Sequence, residues 1–158
     1  MQTPPEILLM GPGPSCVYPE VYQALSWPTL GHLDPEFIEI MDGTAERLRT
    51  VLGTQNRLTM PISGTGSAGM EAAFVNLVEP GDRVLVFANG VFGLRMADVA
   101  ERLGAAVTRI DVPWGEAVEP ELVRQTLSEH PPFSLVGVVH AETSTGARSD
   151  VAAIGQLV

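Results

Sequence analysis

The segment Gly64-Thr65-Gly66-Ser67-Ala68-Gly69 carries the densest chemical signal in the sequence. It has the form G-x-G-x-x-G. In such a loop free backbone N–H groups and a helix N-terminus attract an anion, and the glycines let it approach. Thr65 and Ser67 add hydroxyl donors, so a phosphate is the expected ligand group. A second polar segment is His140-Ala141-Glu142-Thr143-Ser144-Thr145-Gly146. It brings an imidazole and three hydroxyls, and it reads either as a solvated loop or as a pocket wall. Asn89-Gly90-Val91-Phe92-Gly93 supplies an aromatic, Phe92, that fits either a plate against a flat ring or a place in the core. His140 taken alone fits a hydrogen-bonded structural histidine. His32, in Gly31-His32-Leu33-Asp34-Pro35, is equally open between roles. Lysine chemistry is excluded, because the nine basic residues are all arginine. No Walker A lysine exists, and no lysine is present to form a Schiff base.

The phosphate reading does not extend readily to a dinucleotide. A Rossmann site also wants an acid at the end of the next strand, to hold a ribose. Here that position reads Ala88-Asn89-Gly90. The glycine loop also lies far into the chain, whereas that fingerprint usually opens its domain.

The elements that must position these residues alternate. Gly11-Pro12-Gly13-Pro14 is a turn in which proline fixes the backbone. Pro19 to Leu25 suits a short helix with proline in its first turn. Asp34-Pro35 suits the cap and first residue of a longer one, with Phe37, Met41, Leu48 and Leu52 on one face. Arg57 to Ile62, Arg83 to Ala88, Ala106 to Val112 and Ser134 to His140 read as strands. Met70 to Val78, Phe92 to Leu103 and Pro120 to Glu129 read as helices, and Asp150 caps a last helix running to Val158. Alternating strands and helices with short connections predict an α/β fold with a mostly parallel sheet.

Composition bounds the function. Hydrophobic residues at 45% and charged residues at 18% are globular values. A net charge of −10 leaves no basic stripe for nucleic acid or for an anionic membrane surface. The longest apolar runs are far too short to cross a bilayer. Met1 to Met10 lacks the pattern of a signal peptide, and the single Cys16 cannot form an internal disulfide, so the expected setting is cytoplasmic.

Set side by side, several segments form a pattern. Gly11-Pro12-Gly13-Pro14-Ser15, Gly31-His32-Leu33-Asp34-Pro35-Glu36-Phe37, Ser63-Gly64-Thr65-Gly66, Glu79-Pro80-Gly81-Asp82, Asn89-Gly90 with Phe92-Gly93, and the segment from His140 to Gly146 occur in that order. The chain resembles the N-terminal part of a class V aminotransferase, closest to the alanine–glyoxylate/serine–pyruvate aminotransferases. The resemblance covers essentially the whole chain. It implies pyridoxal 5'-phosphate as cofactor, a fold-type I large domain, and a homodimer acting on an amino acid and a 2-oxo acid. Thr65, Gly66 and Ser67 would bind the cofactor phosphate, Phe92 would stack on its ring, and Thr143 would bond near the ring oxygen or substrate. Many relatives carry histidine at the position of Ser67. Gly13, Gly31 and His32 would lie by the substrate entrance and dimer interface. Residues 1–53 would form that N-terminal segment, and residues 54–158 the first part of the cofactor-binding domain.

The family chemistry also needs a lysine to hold the cofactor, an aspartate for its ring nitrogen and an arginine for the substrate carboxylate. In the family all three lie downstream of the matched region. The chain is therefore expected to be an incomplete domain that cannot transaminate alone. A second reading is a noncatalytic module that binds a phosphate ligand or a partner polypeptide. A third is another class V chemistry, such as ureidoglycine–glyoxylate transamination. Cysteine desulfuration is disfavoured, because Cys16 sits in an N-terminal turn.

Overall fold

The computed structural model describes residues 5–158; residues 1–4, part of the stretch read for a leader, lie outside it. The chain divides into two compact units, Met1–Ile62 and Ser63–Val158.

In the first unit two helices form where proline opens them. Helix α1 spans Pro19–Leu25 and α2 spans Pro35–Leu52. Helix α2 stops at Gly53, whose φ of 61° is the left-handed conformation that glycine adopts without a Cβ penalty. Asp34 stands at the cap position, yet its side chain does not cap. It turns back and accepts from the Gly31 N–H at 2.7 Å. A Cβ on Gly31 would lie 2.7 Å from that same Asp34 oxygen, so glycine is what lets the turn close. Residues 57–62 form no strand, contrary to the apolar pattern. Their entry is occupied instead: the Arg49 guanidinium donates to the carbonyls of Asn56 and Arg57 at 2.9 Å each. Leu58 is left 82% exposed, not packed as a strand residue would be.

The second unit is built on one strand. The run from Val84 to Ala88 is apolar at every position, as a central parallel strand covered on both faces requires. It forms β1, Arg83–Ala88, flanked by β2, Ala106–Asp111, and β3, Leu135–Gly137, in the order β2-β1-β3, all parallel. Successive side chains of β1 alternate between faces. Val84 and Val86 pack with α3 (Gly66–Leu77) and α4 (Val91–Arg102) through Phe74, Met96, Ala97 and Ala100. Leu85 and Phe87 pack on the other face with Val123 of α5 (Pro120–Glu129) and Ile154 of α6 (Val151–Gly155). Burying each of Val84, Leu85, Val86 and Phe87 contributes about 1.5–3 kcal/mol.

Two expected elements are shorter than their patterns. Strand β3 stops at Gly137, where its ladder with β1 ends opposite Val86. Helix α6 is capped by Asp150 as expected, the Ala153 N–H donating to Oδ1 at 3.0 Å, but it covers five residues and loosens at Gly155. A hairpin, β4 (Ala141–Glu142) and β5 (Ala147–Arg148), occupies the segment read as a loop.

Helix α4 lies close over β1 because residue 93 is glycine. A Cβ there would sit 2.7 Å from Ala88 Cα and 3.1 Å from the Phe87 carbonyl oxygen. Both are backbone atoms with no rotamer to yield. Gly93→Ala is therefore expected to lower stability by about 1–3 kcal/mol, despite alanine's better helix propensity. Urea denaturation measures this; equal or greater stability would contradict the packing described.

Candidate active site

In a parallel sheet the strands deliver their loops to one edge, where ligands collect. Three segments meet at that edge of the second unit: the glycine loop opening α3, the residues after β1 that open α4, and the β4–β5 hairpin. Thr65, Gly66, Ser67, Met70, Phe92, Val139, Ala141 and Thr143 line one cavity of about 390 Å³. That volume lies in the range of roughly 300–1,000 Å³ usual for small-molecule sites. Five residues singled out from the sequence, Thr65, Gly66, Ser67, Phe92 and Thr143, thus share one wall-to-wall space. The space is polar at the α3 end and apolar around Met70, Phe92 and Val139.

The start of α3 makes the polar end. The helix begins at Gly66, four residues earlier than the apolar pattern, because Thr65 serves as its cap. The Thr65 hydroxyl and carbonyl accept from the Ala68 N–H at 3.4 and 3.0 Å. The N–H groups of Gly66 and Ser67, the first two of the helix, have no acceptor within it. With the Ser67 hydroxyl they leave donors open at the positive end of the helix dipole, an arrangement that favours an anion.

The start of α4 is different, and the difference lies in a residue that sequence reasoning gave no role. Glu142 is 0% exposed. Its Oε2 accepts from the N–H groups of Phe92 at 3.1 Å and Gly93 at 3.2 Å. Its Oε1 accepts from the N–H and the hydroxyl of Ser144. The Ser144 hydroxyl in turn accepts from the Val91 N–H at 3.1 Å. All three unpaired donors of the first turn of α4 are therefore satisfied from the hairpin. Gly90 makes this possible, since a Cβ there would lie 2.5 Å from Glu142 Cγ and 2.7 Å from Ser144 Oγ. The signal that could have found Glu142 was an acid placed among hydroxyls immediately after a strand.

The remaining candidates are placed as follows. Asn89, at the position where a dinucleotide site wants its acid, is buried and donates through Nδ2 to the Glu116 carbonyl at 2.8 Å. No strand precedes the glycine loop, so the dinucleotide context is missing among the described residues. His140 is exposed; its carbonyl accepts from the Ser149 N–H at 2.9 Å, while its ring makes no hydrogen bond among the described residues. Gly13, in the bend 11–14, and Gly31 and His32, in the turn before α2, are exposed residues of the first unit. Among the described residues no group of His, Cys, Asp and Glu is arranged to hold a metal ion.

The sequence profile of the family described as aminotransferase class-V matches residues 17–158. This chain belongs to the class V aminotransferase family. It is 40% identical over 153 residues to the alanine–glyoxylate aminotransferase of Rattus norvegicus, covering 97% of this chain and 37% of that protein. The solved alanine–glyoxylate aminotransferase of Nostoc sp. superposes with a TM-score of 0.90 at 48% identity, covering 99% of this chain and 42% of that one. The ureidoglycine–glyoxylate aminotransferase of Bacillus subtilis gives 0.92 at 39% identity, covering 99% and 40%. The chain thus spans about two fifths of the length of the class V relatives it matches, and it shares their α/β fold with a parallel sheet over that part. A noncatalytic binding module is not favoured by these matches.

Glycine positions separate packing from open space around this site. Gly69, inside α3, has nothing within 4 Å of where a Cβ would lie, whereas Gly90 has the Glu142 and Ser144 side chains there. Gly69→Ala is expected to raise stability by about 0.5–1 kcal/mol through helix propensity alone. Gly90→Ala is expected to lower the melting temperature by displacing Glu142 from α4. Thermal melts of both variants check the pair; the reverse order would contradict the contacts described.

Proposed function

We propose that this chain supplies the phosphate- and ring-binding part of a pyridoxal 5'-phosphate site in an aminotransferase. The observation that carries the reading is the convergence of Thr65, Gly66, Ser67, Phe92 and Thr143 on one cavity beside the open end of α3. The residues present fit the group. A dianionic phosphate suits two free helix N–H groups and two hydroxyls. A flat heterocycle suits the apolar part of the cavity, where Phe92, 36% exposed, offers its ring.

In this reading the N–H groups of Gly66 and Ser67, with the hydroxyls of Ser67 and Thr65, hold the phosphate. Phe92 orients the ring from one side, and the Thr143 hydroxyl bonds near the ring oxygen or the substrate. Met70 and Val139 exclude water from the ring's apolar edge. When bound, the cofactor supplies the electron sink that makes an amino acid's α-proton removable. The residue that moves that proton is not in this sequence, which contains no lysine.

The reaction proposed for the whole enzyme is transfer of an amino group from alanine or serine to glyoxylate or pyruvate. It rests on the similarity to the alanine–glyoxylate aminotransferases. Ureidoglycine as donor is a second reading, supported by the TM-score of 0.92 to the Bacillus subtilis enzyme. The proposal includes a homodimer and a cytoplasmic setting, with Gly13, Gly31 and His32 near the substrate entrance and interface. The family resemblance of the 11–15 and 31–37 segments supports the former, and the single exposed Cys16 the latter. Among the described residues no helix is long and apolar enough to cross a membrane, and the net charge of −10 argues against nucleic acid as a partner.

Pyridoxamine 5'-phosphate, which cannot react with an amine, tests the site by equilibrium binding. Saturable binding competed by inorganic phosphate is expected, with Ser67→Ala weakening it by about tenfold, the value of one charge-assisted hydrogen bond. Binding insensitive to Ser67 and to phosphate would overturn the assignment. Borohydride reduction in the presence of pyridoxal 5'-phosphate is expected to leave no internal side chain modified, the N-terminal amine aside. A pyridoxyl adduct on any internal residue by mass spectrometry would contradict this.

A further inference from the structure

We propose that Glu142 is the positioning residue of this site: by holding the first turn of α4 it fixes Phe92 against the ligand ring and leaves α3 as the end that takes the phosphate. The inference rests on the site reading above. Two helix N-termini stand at one sheet edge. Both α3 and α4 start beside the same cavity, and each brings N–H groups without a helical acceptor and a dipole that favours an anion. A phosphate has only one correct place if the ring is to meet Phe92. The chain resolves this by supplying an internal anion to α4 and none to α3. Glu142, fully buried, accepts from Phe92 and Gly93, and through Ser144 it also engages Val91. The negative end of a side chain thereby occupies the seat that a ligand phosphate would otherwise contest.

The same bonds orient the aromatic. Phe92 is the second residue of α4, and its own N–H is one of the two that Oε2 holds. The side chain of a helical residue follows its backbone through few rotamers. Fixing that N–H therefore restricts where the ring points. Glu142 is also the immediate neighbour of Thr143, which lines the cavity. One buried carboxylate thus ties the hairpin residue that faces the ligand to the helix residue that faces it from another element. Glu142 does not itself line the cavity, so its effect passes through Phe92.

The test is a double-mutant cycle in the 158-residue chain, with Glu142→Gln, Phe92→Ala and the pair. Glutamine keeps the shape but lacks the charge and replaces one of the two acceptor oxygens with an NH2 donor. Dissociation constants are measured for pyridoxamine 5'-phosphate and for inorganic phosphate, and hydrogen exchange is followed at the Phe92 and Gly93 amides. Glu142→Gln is expected to weaken pyridoxamine 5'-phosphate by roughly two- to tenfold, the range for a lost aromatic contact, with inorganic phosphate changed less than about twofold. The effect on pyridoxamine 5'-phosphate is expected to vanish in the Phe92→Ala background, as residues acting through one contact are non-additive. Exchange at Phe92 and Gly93 is expected to accelerate while the rest of α4 keeps its protection. Full additivity in the cycle, an equal loss for both ligands, or unchanged exchange at both amides would each overturn the proposal. Should the parent chain bind neither ligand, the site reading fails, and the exchange measurement, which needs no ligand, still decides whether Glu142 holds α4. Glu142→Asp gives a second variant: its shorter carboxylate keeps the charge but withdraws the reach, and it is expected to reproduce the exchange change.

Discussion

A buried carboxylate needs donors, and the first turn of a helix needs acceptors. In this chain Glu142 and α4 satisfy each other across two elements that are far apart in sequence. Much of the site depends on that exchange. It seats the β4–β5 hairpin on the start of α4, brings Thr143 and Phe92 to the same cavity, and requires glycine at position 90. It also leaves the first-turn donors of α4 satisfied from within the chain. The desolvation that a lone buried carboxylate would suffer is offset here by four hydrogen bonds. A partly satisfied version of the same network would cost stability, so its completeness is what makes the arrangement tolerable.

Beneath this lies the central strand. Parallel strands send their connections to one edge, and β1 sends the chain straight from a buried apolar run into Asn89, Gly90 and α4. Close packing at Gly93 then sets how near α4 lies to the sheet. The residues lining the cavity therefore sit at the starts of two helices and on short connections between buried elements. Asn89 and Ser149 add to this anchoring, one donating to the Glu116 carbonyl and the other accepting from the Val118 N–H.

The parts legible in the sequence are those governed by local patterning. The apolar run at 84–88 announced its strand, Pro120 and Pro19 marked helix starts, and the alternation of elements implied the parallel sheet. The glycine loop was readable as the start of a helix because cap and helix follow one another directly. What was missed depends on long-range partners. Glu142 looked like one polar residue among several, since nothing local shows that Val91, Phe92 and Gly93 lie opposite it. The segment expected to be a strand at 57–62 finds no partner strand, and at its entry the Arg49 side chain takes the Asn56 and Arg57 carbonyls. Asp34 looked like a helix cap and instead closes the turn behind it on Gly31. The chain contains no lysine and spans about two fifths of the length of the class V relatives it matches.

The central claim is that α3, and not α4, receives the phosphate. Amide-proton NMR during titration of the chain with pyridoxamine 5'-phosphate addresses it directly. A phosphate seated on α3 predicts saturable downfield shifts that are largest at the Gly66 and Ser67 amides, while Val91 and Gly93, already bonded through Ser144 and Glu142, move little. Largest shifts at Val91, Phe92 and Gly93, with Gly66 and Ser67 unmoved, would contradict it.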